Sequence, residues 1–162
     1  MKPRVFHGAN AVVEACIYYG LIDRIQAHLI EEEGFVAGRY LDVYQIETEG
    51  VGLTGEFKGK NFFTEVYPLF LQRAKRLVTN FDEHPEDVQK AIVSAVYRGD
   101  MGPKTARLLS QKKYHEAAEE YLNHKEYQKL LKINPKHGVV QRMHRNSQAF
   151  RKAGGSINDV LL

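Results

Sequence analysis

Three polar residues in the first third of the chain carry the side chains that hydrolysis of a glycosidic bond requires. Glu33 and Asp42 supply two carboxyl groups, and Thr48 supplies a hydroxyl. In such a reaction a carboxylic acid protonates the leaving oxygen, while a second carboxylate on the other side of the sugar activates water or attacks directly. Carboxylates nine residues apart are common in any protein, so the spacing alone does not establish catalysis.

The elements around these residues are expected to place Glu33 and Asp42 on opposite sides of a groove, with Asp42 on a small sheet. Apolar residues at helical spacing over residues 21–30 predict a helix that ends at Gly34, a candidate for the left-handed C-terminal glycine. Residues 31–33 are three glutamates, although the helix dipole favours cations at a C-terminus. That misfit indicates that at least one of these carboxylates has a role other than solubility.

The whole pattern predicts an α+β architecture, in which a small antiparallel sheet lobe is joined by a helix to a larger helical lobe. The sheet is expected between Phe35 and Leu53, and three closely spaced glycines, at positions 50, 52 and 55, indicate tight turns. Helices are predicted over residues 10–20, 21–33, 64 or 67 to 80, 85–98, 105–109, 114–122, 126–131 and 138–153.

The same pattern divides the chain into segments. Residues 1–20 are expected to form an arm, over residues 1–8, followed by an extra helix. Residues 21–153 form the main domain, with the sheet lobe near 33–62 and the helical lobe near 82–153, and residues 154–162 form a tail.

Charge is unevenly distributed along the chain. Residues 1–56 contain 4 Lys and Arg against 9 Asp and Glu, whereas residues 57–162 contain 19 against 11. An acidic part beside a basic part suits an enzyme that holds a polyanion on one lobe while acidic residues act on the other. Helix faces that differ by chance would give the same asymmetry. Arg73, Lys75 and Arg76 are candidates for contact with a polyanion.

Several classes of protein are not indicated. No apolar run approaches the roughly 20 residues of a membrane span, and the apolar residues 11–22 include Glu14 and lack a cleavage site, so neither a membrane span nor a signal peptide is expected. The single cysteine, Cys16, is expected to be a buried, unreactive thiol. Metal-ligand spacings, phosphate loops, dinucleotide fingerprints and nucleic-acid modules do not occur in the sequence. We therefore expect no metal, no cofactor and no nucleic-acid partner.

Four segments of the chain, taken in order, resemble the phage-type lysozymes, the endolysins that cleave bacterial peptidoglycan. Residues 89–99 resemble the central helix of that family's helical lobe, residues 108–122 its short helix, turn and following helix, and residues 138–150 its G-L-V-x-R-R helix. The resemblance covers about residues 21–153. The segment that comes first in the chain, residues 33–55, carries the family's signature. Its matching residues are Glu33, Gly34, Tyr40, Asp42, Thr48, Gly50, Gly52, Thr54 and Gly55.

The resemblance implies a lysozyme-like fold and particular roles for these residues. Glu33 matches the general acid, while Asp42 and Thr48 match the pair that holds the attacking water, which implies an inverting single displacement. Arg142 matches a helix arginine that could pair with the catalytic glutamate. Its alternative is a surface arginine on an amphipathic helix.

Other positions either support the motif or depart from it. Tyr40 and Gly52 belong to the motif and are expected to support the site or bind substrate. Leu53 stands where the family usually has a histidine, and Gln45 stands where many members have a glycine. These departures bear on local packing and on the shape of the loop more than on the chemistry.

The function implied by the resemblance is that of a muramidase, a glycoside hydrolase that cleaves the β-1,4 bond between N-acetylmuramic acid and N-acetylglucosamine. It implies bacterial peptidoglycan as the partner, a monomer, and either storage in the host cytoplasm until a holin releases the enzyme or transport within a virion. The alternative is an inert lysozyme-fold module that binds peptidoglycan or a phage structural protein. The intact set of Glu33, Asp42 and Thr48 argues against that alternative, while Leu53, Gln45 and the extra N-terminal helix keep it open.

Overall fold

The computed structural model describes the backbone of residues 4–20, 23–41 and 47–155, together with the side chains of these residues other than 37–41 and 47. Two compact units occupy residues 1–70 and 71–162. The protein is mostly helical and contains a small four-stranded antiparallel sheet, so the predicted α+β class is confirmed. The sheet belongs to the first unit.

The first unit folds as two helices against a short meander of strands. Its sheet has the order β1-β2-β3-β4, and each neighbouring pair is antiparallel. Gly50 and Gly52 have φ of 58° and 66°, the left-handed conformation that the predicted tight turn requires. The elements are β1 (Val5–Phe6), α1 (Ala9–Tyr19), α2 (Arg24–Glu33), β2 (Phe35–Leu41), β3 (Glu47–Gly50) and β4 (Leu53–Thr54).

The strand β1 lies within the segment predicted as an N-terminal arm, residues 1–8. No strand was predicted there, and Val5 and Phe6 pair with Val36 and Phe35 of β2. A strand of two residues is too short to produce an alternating pattern, so nothing in the local sequence distinguishes it from an arm. The extra helix predicted to follow is present as α1.

The helix α2 begins at a capping box. Asp23 accepts a hydrogen bond from the backbone N–H of Gln26 at 2.8 Å, and the Gln26 side chain accepts one from the N–H of Asp23 at 3.1 Å. Tyr67 also donates to Asp23, over 3.5 Å. Burial, the charge of Asp23 and this hydrogen bond raise the pKa of Tyr67, so its hydroxyl keeps its proton. Residues 21–22, which were predicted to be helical, lie outside the described residues.

The helix α2 ends at Gly34, where the chain turns into β2. Gly34 has φ of 79°, and its N–H donates to the carbonyl of Ile30 at 2.8 Å. A Cβ at this position would lie 2.8 Å from Nδ1 of His7 and 2.9 Å from the carbonyl oxygen of Phe6. The end of β1 therefore passes so close to this turn that a side chain at position 34 would displace it.

The second unit is helical. The helix α3 (Tyr67–Leu77) spans the division between the units, and the helices predicted over residues 85–153 are all present. The long helix at the end of the unit packs on two of the others, α4 and α6. Within the described residues, no helix is long and apolar enough to cross a membrane. The elements are α4 (Glu86–Arg98), α5 (Pro103–Ser110), α6 (Tyr114–Leu122), α7 (Lys125–Ile133) and α8 (Gly138–Ala153).

A buried polar network joins α8 to the helices beneath it. Asn146 is 3% exposed and donates to Ser94 of α4 at 3.3 Å and to the hydroxyl of Tyr121 of α6 at 3.2 Å. Tyr121 in turn donates to Asp100 at 2.7 Å. Burial and the charge of Asp100 raise the pKa of Tyr121, so the phenol remains a donor. The network fixes the register of three helices as well as joining them.

This network predicts the effect of removing Asn146. We expect Asn146→Ala to lower the free energy of unfolding by about 1–3 kcal/mol, because the buried Ser94 hydroxyl loses its donor and a void remains. Gln148→Ala, on the exposed side of the same helix, should change it by less than about 0.5 kcal/mol. Urea denaturation measures both values, and equal midpoints for the two variants would contradict the prediction.

The turn at Gly34 predicts a second effect on stability. Gly34 and Gly59 both have φ of 79°, but a Cβ at position 59 would have nothing within 4 Å. Alanine at either position bears the cost of the left-handed conformation, about 1–2 kcal/mol. Alanine at position 34 also meets His7 and Phe6, so Gly34→Ala should cost about 1–3 kcal/mol more than Gly59→Ala. Thermal melting of both variants tests this difference, and similar melting temperatures would show that the contact is not tight.

Candidate functional site

The carboxyl group of Glu33 lies beside the turn between β3 and β4. Glu33 is the last residue of α2 and is partly buried. A Cβ at position 52 would lie 3.5 Å from Oε2 of Glu33 and 3.9 Å from its Cβ. Because Gly52 has no side chain and φ of 66°, its backbone approaches the carboxyl group directly. The structure thus brings together two of the residues singled out from the sequence.

Thr48 lies on the hairpin that carries this turn. It occupies β3, is 3% exposed, and pairs with Tyr40 of β2 on one side and Thr54 of β4 on the other. A residue with a strand on each side is fixed in register by both ladders. The backbone of Thr48 is therefore held at a defined place in the sheet, opposite that of Tyr40, whose side chain is outside the described part.

The relation of two other predicted site residues, Asp42 and Arg142, to Glu33 stays a prediction. Asp42 lies outside the described residues, and so does Gln45. Arg142 lies on α8 in the second unit, where its guanidinium covers Gly138: a Cβ there would lie 3.7 Å from Nη1. The roles of Asp42 as a water ligand and of Arg142 as a partner of Glu33 stay predictions.

Leu53 shows how the chain accommodates one departure from the resembled family. Its side chain is 3% exposed, and its Cδ1 would lie 3.6 Å from a Cβ at position 50. The residue that stands in place of a histidine therefore packs in the apolar interior of the first unit. An apolar side chain here needs no hydrogen-bond partner, whereas a buried histidine would need one.

The arrangement is suited to proton transfer. A carboxyl group that ends a helix and faces a glycine turn can reach a ligand lying over the hairpin, since no side chain at position 52 stands between them. Thr48 is too buried to meet a ligand at the surface. A hydroxyl at such a position can instead hold an ordered water or orient a neighbouring group.

The structure also contains a groove that the sequence analysis did not identify. It lies in the first unit, between the end of α1 and the β3–β4 hairpin, and has a volume of about 610 Å³. We call it the α1 groove. One local signal was available, because the predominantly apolar helix α1 ends in two adjacent tyrosines. The residues that line it are Tyr18, Tyr19, Val36, Glu49, Gly50, Leu53, Gly59, Lys60 and Asn61.

Comparison with known proteins does not assign a function. No protein-family model, no curated protein and no solved structure matches the chain. Within the described residues, no three His, Cys, Asp or Glu side chains are grouped so as to hold a metal ion. The functional assignment depends on the residues and geometry above, and the resemblance to phage-type lysozymes stays a prediction.

Proposed function

We propose that this protein is a peptidoglycan hydrolase with a lysozyme-like fold, which cleaves the β-1,4 bond between N-acetylmuramic acid and N-acetylglucosamine. The observation that carries the proposal is the placement of Glu33 against Gly52. A partly buried carboxyl group faces a glycine turn, on the hairpin that also carries Thr48. The motif that suggested a general acid in the sequence thus converges in space at two of its positions.

In the proposed reaction, Glu33 donates a proton to the glycosidic oxygen as the bond from that oxygen to the anomeric carbon breaks. Asp42 and Thr48 hold a water on the opposite side of the sugar, and Asp42 takes the proton that this water loses as it attacks. The product is then a reducing sugar of inverted configuration. Arg142 and Tyr40 are proposed to support the catalytic groups or bind substrate.

The charge of the second unit supports an anionic polymer as substrate. Arg73, Lys75 and Arg76 are all exposed on α3, and Lys75 lies 3.5 Å from Asp82. Peptidoglycan carries carboxylates on its peptide stems, so a basic surface would concentrate it near the protein. The proposed setting is the host cytoplasm before release by a holin, or a virion, with the protein acting as a monomer.

A second candidate function is supported by α1. Three of its side chains are apolar or aromatic and largely exposed: Val13 at 56%, Ile17 at 75% and Tyr18 at 65%. This helix precedes the part of the chain that resembles the lysozymes. An exposed apolar face fits a module that binds peptidoglycan or a phage structural protein without catalysis.

The two candidates differ in what Glu33→Gln should do. Glutamine keeps the size of the side chain but cannot supply the proton, and general acid catalysis contributes about 10²–10⁴-fold. We therefore expect Glu33→Gln to lyse outer-membrane-permeabilised cells at least about 100-fold more slowly than the wild type. The decrease in turbidity measures the rate, and circular dichroism with thermal melting verifies the fold.

The neighbouring glutamates provide matched controls. Glu31 is exposed and shares the end of α2 with Glu33, so Glu31→Gln makes the same change in net charge. We expect Glu31→Gln and Glu32→Gln to retain most of the activity. If Glu33→Gln lyses cells as fast as these controls, Glu33 is not the general acid and the proposed mechanism is wrong. If the wild type is inactive, the catalytic proposal is wrong and the binding module is favoured.

The assignment of Asp42 and Thr48 predicts the stereochemistry. If they position water, the first product of a β-linked substrate is the α-anomer, because a single displacement inverts the anomeric carbon. Proton NMR of the earliest product, recorded before mutarotation, distinguishes the anomers. A β-anomer that appears first would mean that Asp42 acts as a nucleophile.

A further inference from the structure

The α1 groove has an aromatic wall that is partly fixed and partly open. The rings of Tyr18 and Tyr19 meet edge to face with centroids 4.7 Å apart. Tyr19 also contacts Phe35, at 5.6 Å between centroids, and Phe63, at 4.7 Å. These contacts hold Tyr19 in place. Tyr18 also contacts Phe35, at 5.7 Å between centroids, but it is 65% exposed, so part of its ring surface is open to a ligand.

The hydroxyl of Tyr19 lies against the sheet. A Cβ at position 50 would lie 3.3 Å from this oxygen, so the glycine at that position leaves the hydroxyl room beside β3. Burial, followed by the proximity of Tyr18 and Glu49, raises the pKa of Tyr19. The phenol is therefore protonated at neutral pH and able to donate a hydrogen bond within the groove.

The remaining wall carries groups of opposite charge. Glu49 of β3 accepts a hydrogen bond from the N–H of Gly59, and this bond fixes the carboxylate of Glu49 at the groove. Lys60, the residue after Gly59, is exposed. Asn61 accepts hydrogen bonds from the N–H groups of Phe63 at 2.9 Å and Thr64 at 3.1 Å, so its amide has one orientation. The groove thus offers a carboxylate acceptor, an ammonium donor and an ordered amide.

These features favour a neutral ligand with many hydroxyl groups. A carboxylate beside an ammonium gives little net charge, so neither a polyanion nor a cation gains from the groove as a whole. Hydroxyls can donate to Glu49 and accept from Lys60, while the C–H face of a sugar ring can pack on Tyr18. The volume of about 610 Å³ lies within the range of roughly 300–1,000 Å³ that is usual for small-ligand sites.

We propose that the α1 groove binds a neutral saccharide built of N-acetylhexosamine units, as a carbohydrate site additional to the one at Glu33. The neutral, hydroxyl-rich class follows from the groove, whereas the N-acetylhexosamine unit rests on the proposed function. Among the described residues, neither Glu33 nor Thr48 lines the groove. A site of this kind would retain a glycan chain on the first unit between cleavage events.

The test is a titration of ¹⁵N-labelled protein with tetra-N-acetylchitotetraose, carried out in the Glu33→Gln variant so that the probe is not hydrolysed. The amides of Gly50 and Gly59 report on the two sides of the groove. We expect saturable shifts at both glycines. Tyr18→Ala should weaken binding by about fivefold or more, because the sugar loses its aromatic surface, and Tyr18→Phe should retain most of the affinity.

Further variants distinguish binding in the α1 groove from binding to the exposed face of α1. Ile17 is 75% exposed on the same helix but does not line the groove, so Ile17→Ala should bind as the parent does. Lys60→Ala, at an exposed loop position, should weaken binding without an effect on folding. Thermal melting verifies the fold of each variant.

Several outcomes would overturn the inference. These are no saturable shift at Gly50 and Gly59, equal weakening by Tyr18→Ala and Ile17→Ala, or equally tight binding of an anionic oligosaccharide of the same length. Failure here can be told apart from failure of the proposed function. If the wild type lyses cells and the groove does not bind, the hydrolase proposal stands alone. If the groove binds and the wild type does not lyse cells, the saccharide site stands alone.

Discussion

The close passage of β1 over Gly34 is the contact on which the candidate site depends. Gly34 must be left-handed to end α2 and free of a side chain to admit the end of β1. Both requirements act on the residue that directly follows Glu33. The angle at which α2 enters β2 therefore sets the position of the carboxyl group relative to the hairpin. In the proposed reaction, a displacement of Glu33 by 1 Å would cost on the order of 100-fold in rate, so that reaction would depend on this backbone contact.

The two units are stabilised by different kinds of contact. In the first unit, rings contributed by α1, β2 and the segment after β4 pack edge to face around Phe35, Phe62 and Phe63. In the second unit, α8 packs on α4 and α6 and buries Met143 and Phe150, together with the polar residues Asn146 and Ser147. Aromatic packing tolerates small changes in the angle between rings. A buried hydrogen-bond network in which every group has a partner instead requires one arrangement of its helices.

The sequence predicted the features that leave a local and periodic pattern. The helices of the second unit each bury one face. Pro85 and Gly99 mark the two ends of α4, and Gly154 marks the end of α8. The glycine turns of the sheet were equally predictable from the sequence, because a left-handed φ strongly favours glycine. The motif marked Glu33 and Gly52 as candidate site residues but did not predict their contact. The capping box at Asp23 and Gln26 is formed by residues three apart, so it too is a local pattern.

Features assembled from distant segments could not be predicted in this way. The α1 groove draws its residues from the end of α1, from β3 and from the loop after β4, and each segment is unremarkable by itself. The strand β1 depends on a partner about thirty residues away. Cys16, expected to be buried among apolar residues, is partly buried because α1 has an exposed face. In each case the feature depends on how distant segments pack together, and no single window of the sequence contains that information.

The length of the outer strands has a consequence for how the protein behaves in a crowded solution. Both edges of the sheet, β1 and β4, are strands of two residues, while β2 in the interior has seven. An edge strand exposes a row of unpaired backbone groups that another chain can use as a template. Two residues offer too little of that template to seed intermolecular pairing. The outer strands themselves therefore contribute little to edge-to-edge aggregation, and the template that remains on the β1 side is the part of β2 beyond Val36.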